Sequence, residues 1–306
     1  MLKQHTKMEQ WAKNQALSQA EMEVGEKRSL FQEFGSVLKA NPMALMGLIV
    51  IALFVLSAVF ANVLAPFDYT KVDLPNRLKP PSMKNWLGTD EMGRDILSRM
   101  LYGGRISLMI GLVPTFIAMV LGTFLGLVSG FFGKKVDFII MRLADVVLSF
   151  PSLLLAMVIM YIMGASMLNL FIALSVIGWA GTARIVRSQT LSLKQKEFVE
   201  AADAIGVGRW KIMFRHILPN CLPSLIVLFT MEIPGSILWE ASLSFLGVGA
   251  QPPEASWGLM VSQSKQYAFS SPWVSIAPGL AVLIVVLAFN FLGDGLRDAI
   301  DPYTKS

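Results

Sequence analysis

Three observations predict an all-α integral membrane protein with six transmembrane helices and both termini cytoplasmic. Of 306 residues, 54% are hydrophobic and only 15% charged, against about 25% charge in an ordinary soluble domain. Charge-free runs recur at or above the ~20 residues that a helix needs to cross a bilayer. Lys and Arg are asymmetric: segments placed inside by this topology hold 18, those placed outside hold 8, the bias expected of cytoplasmic loops.

The composition also excludes functions. Cys221 is the single cysteine, and His5 and His216 lie far apart, so no intramolecular disulfide, metal cluster or Cys/His nucleophile is expected. A net charge of +5 spread over several loops suits a membrane protein and gives no reason to expect nucleic acid as a partner. About 40 mostly polar residues precede the first apolar run, which is not the pattern of a secretory signal.

Within residues 1–42, Ser29 and Gln32 form a capping-box pair, and Leu30, Phe31, Phe34, Val37 and Leu38 make one apolar stripe ending at Asn41-Pro42. The stripe predicts an interfacial helix, either on the cytoplasmic leaflet or against the protein's own loops. Met43–Leu64 is the first span, and Asp68–Tyr102 a polar, proline-bearing external segment. The second span, Ile106–Phe132, carries Gly122, Gly126 and Gly130 at four-residue spacing, a small-residue ridge for close helix packing. Arg142 and Asp145 follow, three apart and able to pair. Val146–Ala183 has no charge; as one helix it would run roughly 57 Å, so it must fold back, at Gly164-Ala165-Ser166. That gives a third span ending at Met163 and a fourth after the turn. The fifth runs from about Leu222 to Leu243 and the sixth from Trp273 to Leu292, with Asp294, Arg297 and Asp298 fixing its inner end.

Between the fourth and fifth spans lies a polar, basic stretch, Glu200–Asn220. Phe198, Ala201, Ala202 and Ile205 share one face of a helix. Gly206 and Gly208 break it, and Trp210, Phe214 and Ile217 define a second short helix closed by Pro219. The expectation is a helix–glycine–helix elbow, with two alanines small enough for another protein to approach.

Glu200-Ala201-Ala202, Asp203, Gly206 and Leu218-Pro219 resemble the EAA-type loop of the membrane subunits of binding-protein-dependent ABC importers; His216 stands where that pattern often has isoleucine. Further stretches are similar to the dipeptide, oligopeptide and nickel branch, in its C-type subunit. They are Gly88-Thr89-Asp90 with Gly93-Arg94-Asp95, Ser149-Phe150-Pro151, Ser244-Phe245-Leu246-Gly247 with Ser256-Trp257-Gly258, and Gly293-Asp294 with Asp301-Pro302. The resemblance implies a type I importer fold in the cell inner membrane. It divides the chain into the N-terminal segment 1–42, a first helix and external segment 43–104, a permease core 105–293 containing a coupling loop 194–220, and a tail 294–306. It implies a second permease subunit, two ATP-binding subunits and an external solute-binding protein as partners. ATP and Mg²⁺ would sit on the ATPase subunits, with no cofactor on this chain. Glu200 would anchor a basic residue of the ATPase, and Ala201 and Ala202 would be the contact surface.

The residues agree with that division. Gly133-Lys134 lacks the preceding glycine and the following hydroxyl of a phosphate-binding loop, so the chain itself is not expected to be an ATPase. Glu232 and Glu240 lie eight apart in the fifth span, and a carboxylate there normally faces a cavity or a partner helix. Both roles stay open for Glu232, while Glu240, beside Ser-Phe-Leu-Gly, favours structure. A proton-driven secondary transporter would use these carboxylates instead, but no convincing repeat supports it. The cargo suggested by the branch is a di- or oligopeptide, with nickel or glutathione as alternatives.

Overall fold

The computed structural model describes residues 41–300, without the side chain of Ile300. The N-terminal amphipathic stripe and Asp301-Pro302 lie outside these residues. Among those described, the regular structure is helical apart from one isolated bridge between Thr89 and Asp95. The helices are α1 (Pro42–Val59), α2 (Ala61–Leu64), α3 (Ile96–Phe132), α4 (Lys134–Ser149), α5 (Ser152–Met163), α6 (Met167–Lys194), α7 (Glu197–Ala204), α8 (Arg209–Ile212), α9 (Leu218–Phe245), α10 (Trp257–Ser264) and α11 (Trp273–Ile300). Among the described residues, five helical stretches are long and apolar enough to cross a membrane, six if the bent pair α4–α5 counts as one span.

The glycine ridge decides the arrangement. A Cβ on Gly122 would lie 2.6 Å from the Trp179 carbonyl, one on Gly126 2.5 Å from that of Ala183, and one on Gly130 2.7 Å from Thr190 Cβ. The partner number rises with the glycine number, so α3 and α6 run parallel in backbone contact. The intervening chain must therefore return across the bundle. It does so in two legs bent by 92°, where the sequence suggested an uninterrupted third span. Phe150 is extended and Pro151 cannot donate an N–H, so the helix stops there. The second leg ends at Met163, Gly164 is left-handed at φ 88°, and Ser166 caps α6 by accepting from Asn169 N; the fold-back falls where expected.

At the end of the bundle away from α7, the chain is tied by polar contacts. Asp95 caps α3, accepting from Ser98 N and Oγ, both at 2.8 Å. Arg94 pairs with Asp90 at 2.6 Å and Glu91 at 2.8 Å, and buried Arg99 lies 3.4 Å from Asp90. Arg105 donates to the Ala58 and Val59 carbonyls. Three of the cations that weakened the charge asymmetry are thus structural. Trp257, fully buried on α10, donates from its backbone N to Ser107 Oγ at 2.9 Å and from Nε1 to the Met100 carbonyl at 3.0 Å.

The last helix runs to Ile300, so Asp294, Arg297 and Asp298 are part of it, not of a following tail. It packs between α1 and α9: Gly47 meets the backbone of Ala288, and Gly293 meets Met231.

Replacing Gly126 by Val should lower the thermal stability of the detergent-solubilised protein by roughly 1–3 kcal/mol, the usual cost of overpacking. Gly181→Ala is the control, because a Cβ there meets nothing within 4 Å. Equal melting temperatures for the two variants would refute the packing role of the ridge.

Candidate functional site

The elbow begins where α6 ends at Lys194. Helix α7 has Glu197 and Glu200 in its first turn, where acidic groups suit the positive end of the helix dipole. Its C-terminus closes with two crossed bonds: Val207 N donates to the Ala202 carbonyl and Gly206 N to that of Asp203, both at 3.0 Å. This is a Schellman turn, and Gly206 occupies its left-handed position at φ 81°. Gly208 has ordinary φ −59° and begins the next helix.

The α7 face that was read as one apolar stripe divides. Ala202 is buried with Val199, whereas Phe198, Ala201 and Ile205 face outward, Ile205 at 81% exposure. Val199 was missed by the spacing argument; the inward line is 199, 202 and 207, one step round the helix. Val199 and Ala202 pack with Leu127 and Phe131 of α3, Val186 of α6, and Ile212, Met213, Ile217 and Cys221. The elbow is therefore fastened to the ends of both parallel helices, and its outward side is free. Glu200 and Asp203 are exposed there, and Glu200 makes no ion pair among the described residues.

The second half corrects the sequence reading. Pro219 does not close a short helix; α8 passes through a π-helical turn, Met213–Ile217, into α9. Leu218 N donates to the Met213 carbonyl, five residues back. Asn220 Nδ2 donates to the His216 carbonyl at 2.6 Å, and Pro219, in the first turn of α9, has no N–H to lose. The widened turn also rotates Ile217 inward, while Trp210 and Phe214 stay outside and stack at 6.1 Å between centroids. Leu218 is half-buried against the same core and Pro219 is exposed.

The two carboxylates of α9 do not share a setting. Glu240 is buried, and its Oε1 accepts from Ser244 Oγ at 2.6 Å and Ser256 Oγ at 2.7 Å. It holds α10 onto α9, with Gly258 packed so close that a Cβ there would lie 2.5 Å from Glu240 Oε2. Glu232 is exposed, next to buried Ile233-Pro234. Eight residues overshoot two whole turns by about 80°, enough to separate the two.

The chain is thus a bundle of helices long and apolar enough to cross a membrane, carrying a small, exposed helical elbow braced from behind. Residues 122–306 match the family described as "Binding-protein-dependent transport system inner membrane component", and residues 29–81 match the N-terminal transmembrane domain of oligopeptide transport permease C. The chain belongs to that binding-protein-dependent inner membrane component family. It is 45% identical over 278 residues to the dipeptide transport system permease protein DppC of Alkalihalophilus pseudofirmus, covering 91% of each chain. It is 43% identical to the glutathione transport system permease protein GsiD of Pectobacterium atrosepticum, covering 91% of this chain and 93% of that one. With the oligopeptide transport system permease protein OppC of Bacillus subtilis it shares 40% identity over 90% of each. A chain of the MetNI methionine ABC transporter, solved in inward-facing conformations, has the same fold: TM-score 0.56, 20% identity, 66% of this chain and 97% of that one.

Gly206→Ala should destabilise the elbow by about 1–2 kcal/mol, the cost of an L residue in the left-handed region, and speed amide exchange at Gly206 and Val207. Gly208→Ala should leave both amides as protected as before. Unchanged exchange in Gly206→Ala would show that the crossed bonds do not hold the turn.

Proposed function

We propose that this chain is the membrane-spanning subunit of an ATP-driven importer of di- or oligopeptides, moved by separate ATPase subunits that grip the elbow. The observation that carries the reading is the division of α7: Val199 and Ala202 brace it on α3 and α6, leaving Phe198, Glu200, Ala201 and Ile205 exposed. A surface of small and apolar side chains beside the exposed carboxylates Glu200 and Asp203 suits a protein cleft bearing a basic group. The named relatives transport dipeptides, oligopeptides and glutathione; all three are peptides, which favours a peptide cargo here.

In this reading the elbow and both termini face the cytoplasm, in line with the Lys and Arg asymmetry. ATP and Mg²⁺ are held by two partner subunits, and this chain binds no cofactor and hydrolyses nothing. A second permease subunit completes the passage, and an external solute-binding protein delivers cargo. ATPase closure displaces Glu200–Asp203, and the packed cluster behind them carries α3, α6 and α9 as rigid bodies. Gly206 shapes the grip, and Leu218-Pro219 set the exit of the chain into α9. Glu232 is the candidate passage residue of α9.

Ala201→Trp tests the docking arm without disturbing the core, because Ala201 is exposed; the same change at buried Ala202 would confound docking with packing. The variant should insert in the membrane normally, lose most co-purifying ATPase, and show peptide uptake reduced about tenfold or more, as for a hot-spot loss of ~1.4 kcal/mol. Intact ATPase recovery and uptake would exclude the elbow as the seat.

A further inference from the structure

Helix α4 leaves a cleft against α6 that the transport reading does not use. It has a volume of about 520 Å³ and is lined by Lys134, Asp137, Phe138, Met141, Arg142, Asp145, Arg184 and Arg187. Four cations face two carboxylates. Both carboxylates are already engaged: Asp137 accepts from Arg187 Nη2 at 2.6 Å and from Ser129 Oγ, and Asp145 accepts from Arg184 Nη2 at 2.8 Å with Arg142 3.8 Å away. Lys134 and Lys135 have no carboxylate partner among the described residues. Lys134 is also held at φ 47°, a strained setting for a lysine, at the turn that brings it to the mouth of the cleft.

Beside it lies a second hollow of about 510 Å³, lined by Phe138, Ile139 and the stems of Lys134 and Lys135, and apolar almost throughout. The two spaces share Lys134 and Phe138. Depth matters as much as charge. Arg184 and Arg187 lie about 26 and 30 Å along α6 from Met167, near the far boundary of a ~30 Å hydrocarbon core, on the elbow side. At that level an anionic headgroup meets its acyl chains. We propose that the α4–α6 cleft holds one anionic phospholipid, its phosphodiester between Lys134 and Arg142 and an acyl chain along Phe138 and Ile139. Basic pockets between helices at a membrane face bind such headgroups. A soluble anion would have no use for the apolar hollow, and a zwitterionic lipid would gain less from the surplus positive charge.

The test uses the complete importer in nanodiscs of phosphatidylcholine containing about 20 mol% of a photoactivatable phosphatidylglycerol, enough to present an anionic surface. Crosslinks are mapped by peptide mass spectrometry. Labelling should concentrate in the peptides spanning 134–145 and 184–187. It should fall about fivefold for each cation removed in Lys134→Gln and Arg142→Gln, and stay unchanged in Lys84→Gln, an exposed lysine outside the cleft. Photoactivatable phosphatidylcholine should label these peptides several-fold less. The proposal fails if both lipids label equally, or if millimolar inorganic phosphate abolishes labelling, which would make this a site for soluble anions. It also fails if the cleft stays unlabelled in the assembled importer, which would mean a protein partner covers it. If the variants do not assemble, the comparison of the two lipids on the unaltered protein still decides.

Discussion

Backbone contact between α3 and α6 governs the rest of the architecture. Three glycines, four residues apart, bring two parallel helices together along Trp179–Thr190 with no room for a single methyl group. In lipid there is little hydrophobic drive to bring helices together, so close van der Waals packing of this kind does much of that work. Parallel neighbours cannot be joined by a short loop. The chain between residues 133 and 166 has to recross the bundle, which accounts for the two-legged return and for the slanted, amphipathic α4 with its cleft. The same pairing brings Leu127, Phe131 and Val186 together at one end, and that platform is where the elbow is seated.

Seating on both helices makes the elbow a part of the bundle and not a tether. Beyond the turn, Arg209–Phe245 is one continuous helical stretch of 37 residues, about 55 Å long. Its far end is clamped through Glu240 to Ser256, and through Trp257 to Ser107 and Met100 of α3. A displacement of the elbow is thus presented to both ends of α3: directly through the cluster at Phe131, and by way of α9 and α10 at Met100. The buried carboxylate serves this closure. Held by hydroxyl groups from both α9 and the cap of α10, with Gly258 packed against it, Glu240 ties α10 to α9.

Much of this was legible in the sequence, because bilayer physics writes itself in long patterns. The apolar runs, the fold-back at Gly164, the glycine ridge and the left-handed Gly206 each follow from a local rule with one strong solution, whereas the helix ends do not: α3 begins at Ile96, inside the stretch expected to be an external segment, and the fifth span extends back to Arg209. Which way α7 faces was not legible. Ala is small enough to suit either the core or a docking surface, and a stripe at 198, 201, 202 and 205 is apolar whether it points in or out. Only the platform formed with Val186 by Leu127 and Phe131, both more than 60 residues away in the chain, selects Val199 and Ala202 for burial. The unequal fates of Glu232 and Glu240 were hidden for a similar reason. Besides Ser244 one turn on, the partner of Glu240 is a serine sixteen residues further along the chain, beyond the reach of helix periodicity.

Proline shows why punctuation rules mislead in this environment. Pro151 and Pro219 look alike in sequence, yet one ends a helix with a 92° bend and the other sits inside a continuous stretch. The difference is in the backbone groups each would orphan. At Pro219 the π turn supplies a bond from Leu218 N to the Met213 carbonyl, and Asn220 Nδ2 donates to the His216 carbonyl. Pro114, Pro223, Pro234 and Pro278 also lie within helices. Breaking a helix in hydrocarbon exposes several unpaired groups, each worth more than the one bond that proline removes. A helix therefore persists through proline wherever neighbours can absorb the loss. At Pro151 the break is instead tied to topology, because the first leg is held to α6 through Asp145 and Arg184 while the second packs beside Leu170 and Ala173 further along the same helix. The bend is the geometric consequence of the parallel pair, and Pro151 fixes where along the return leg it falls.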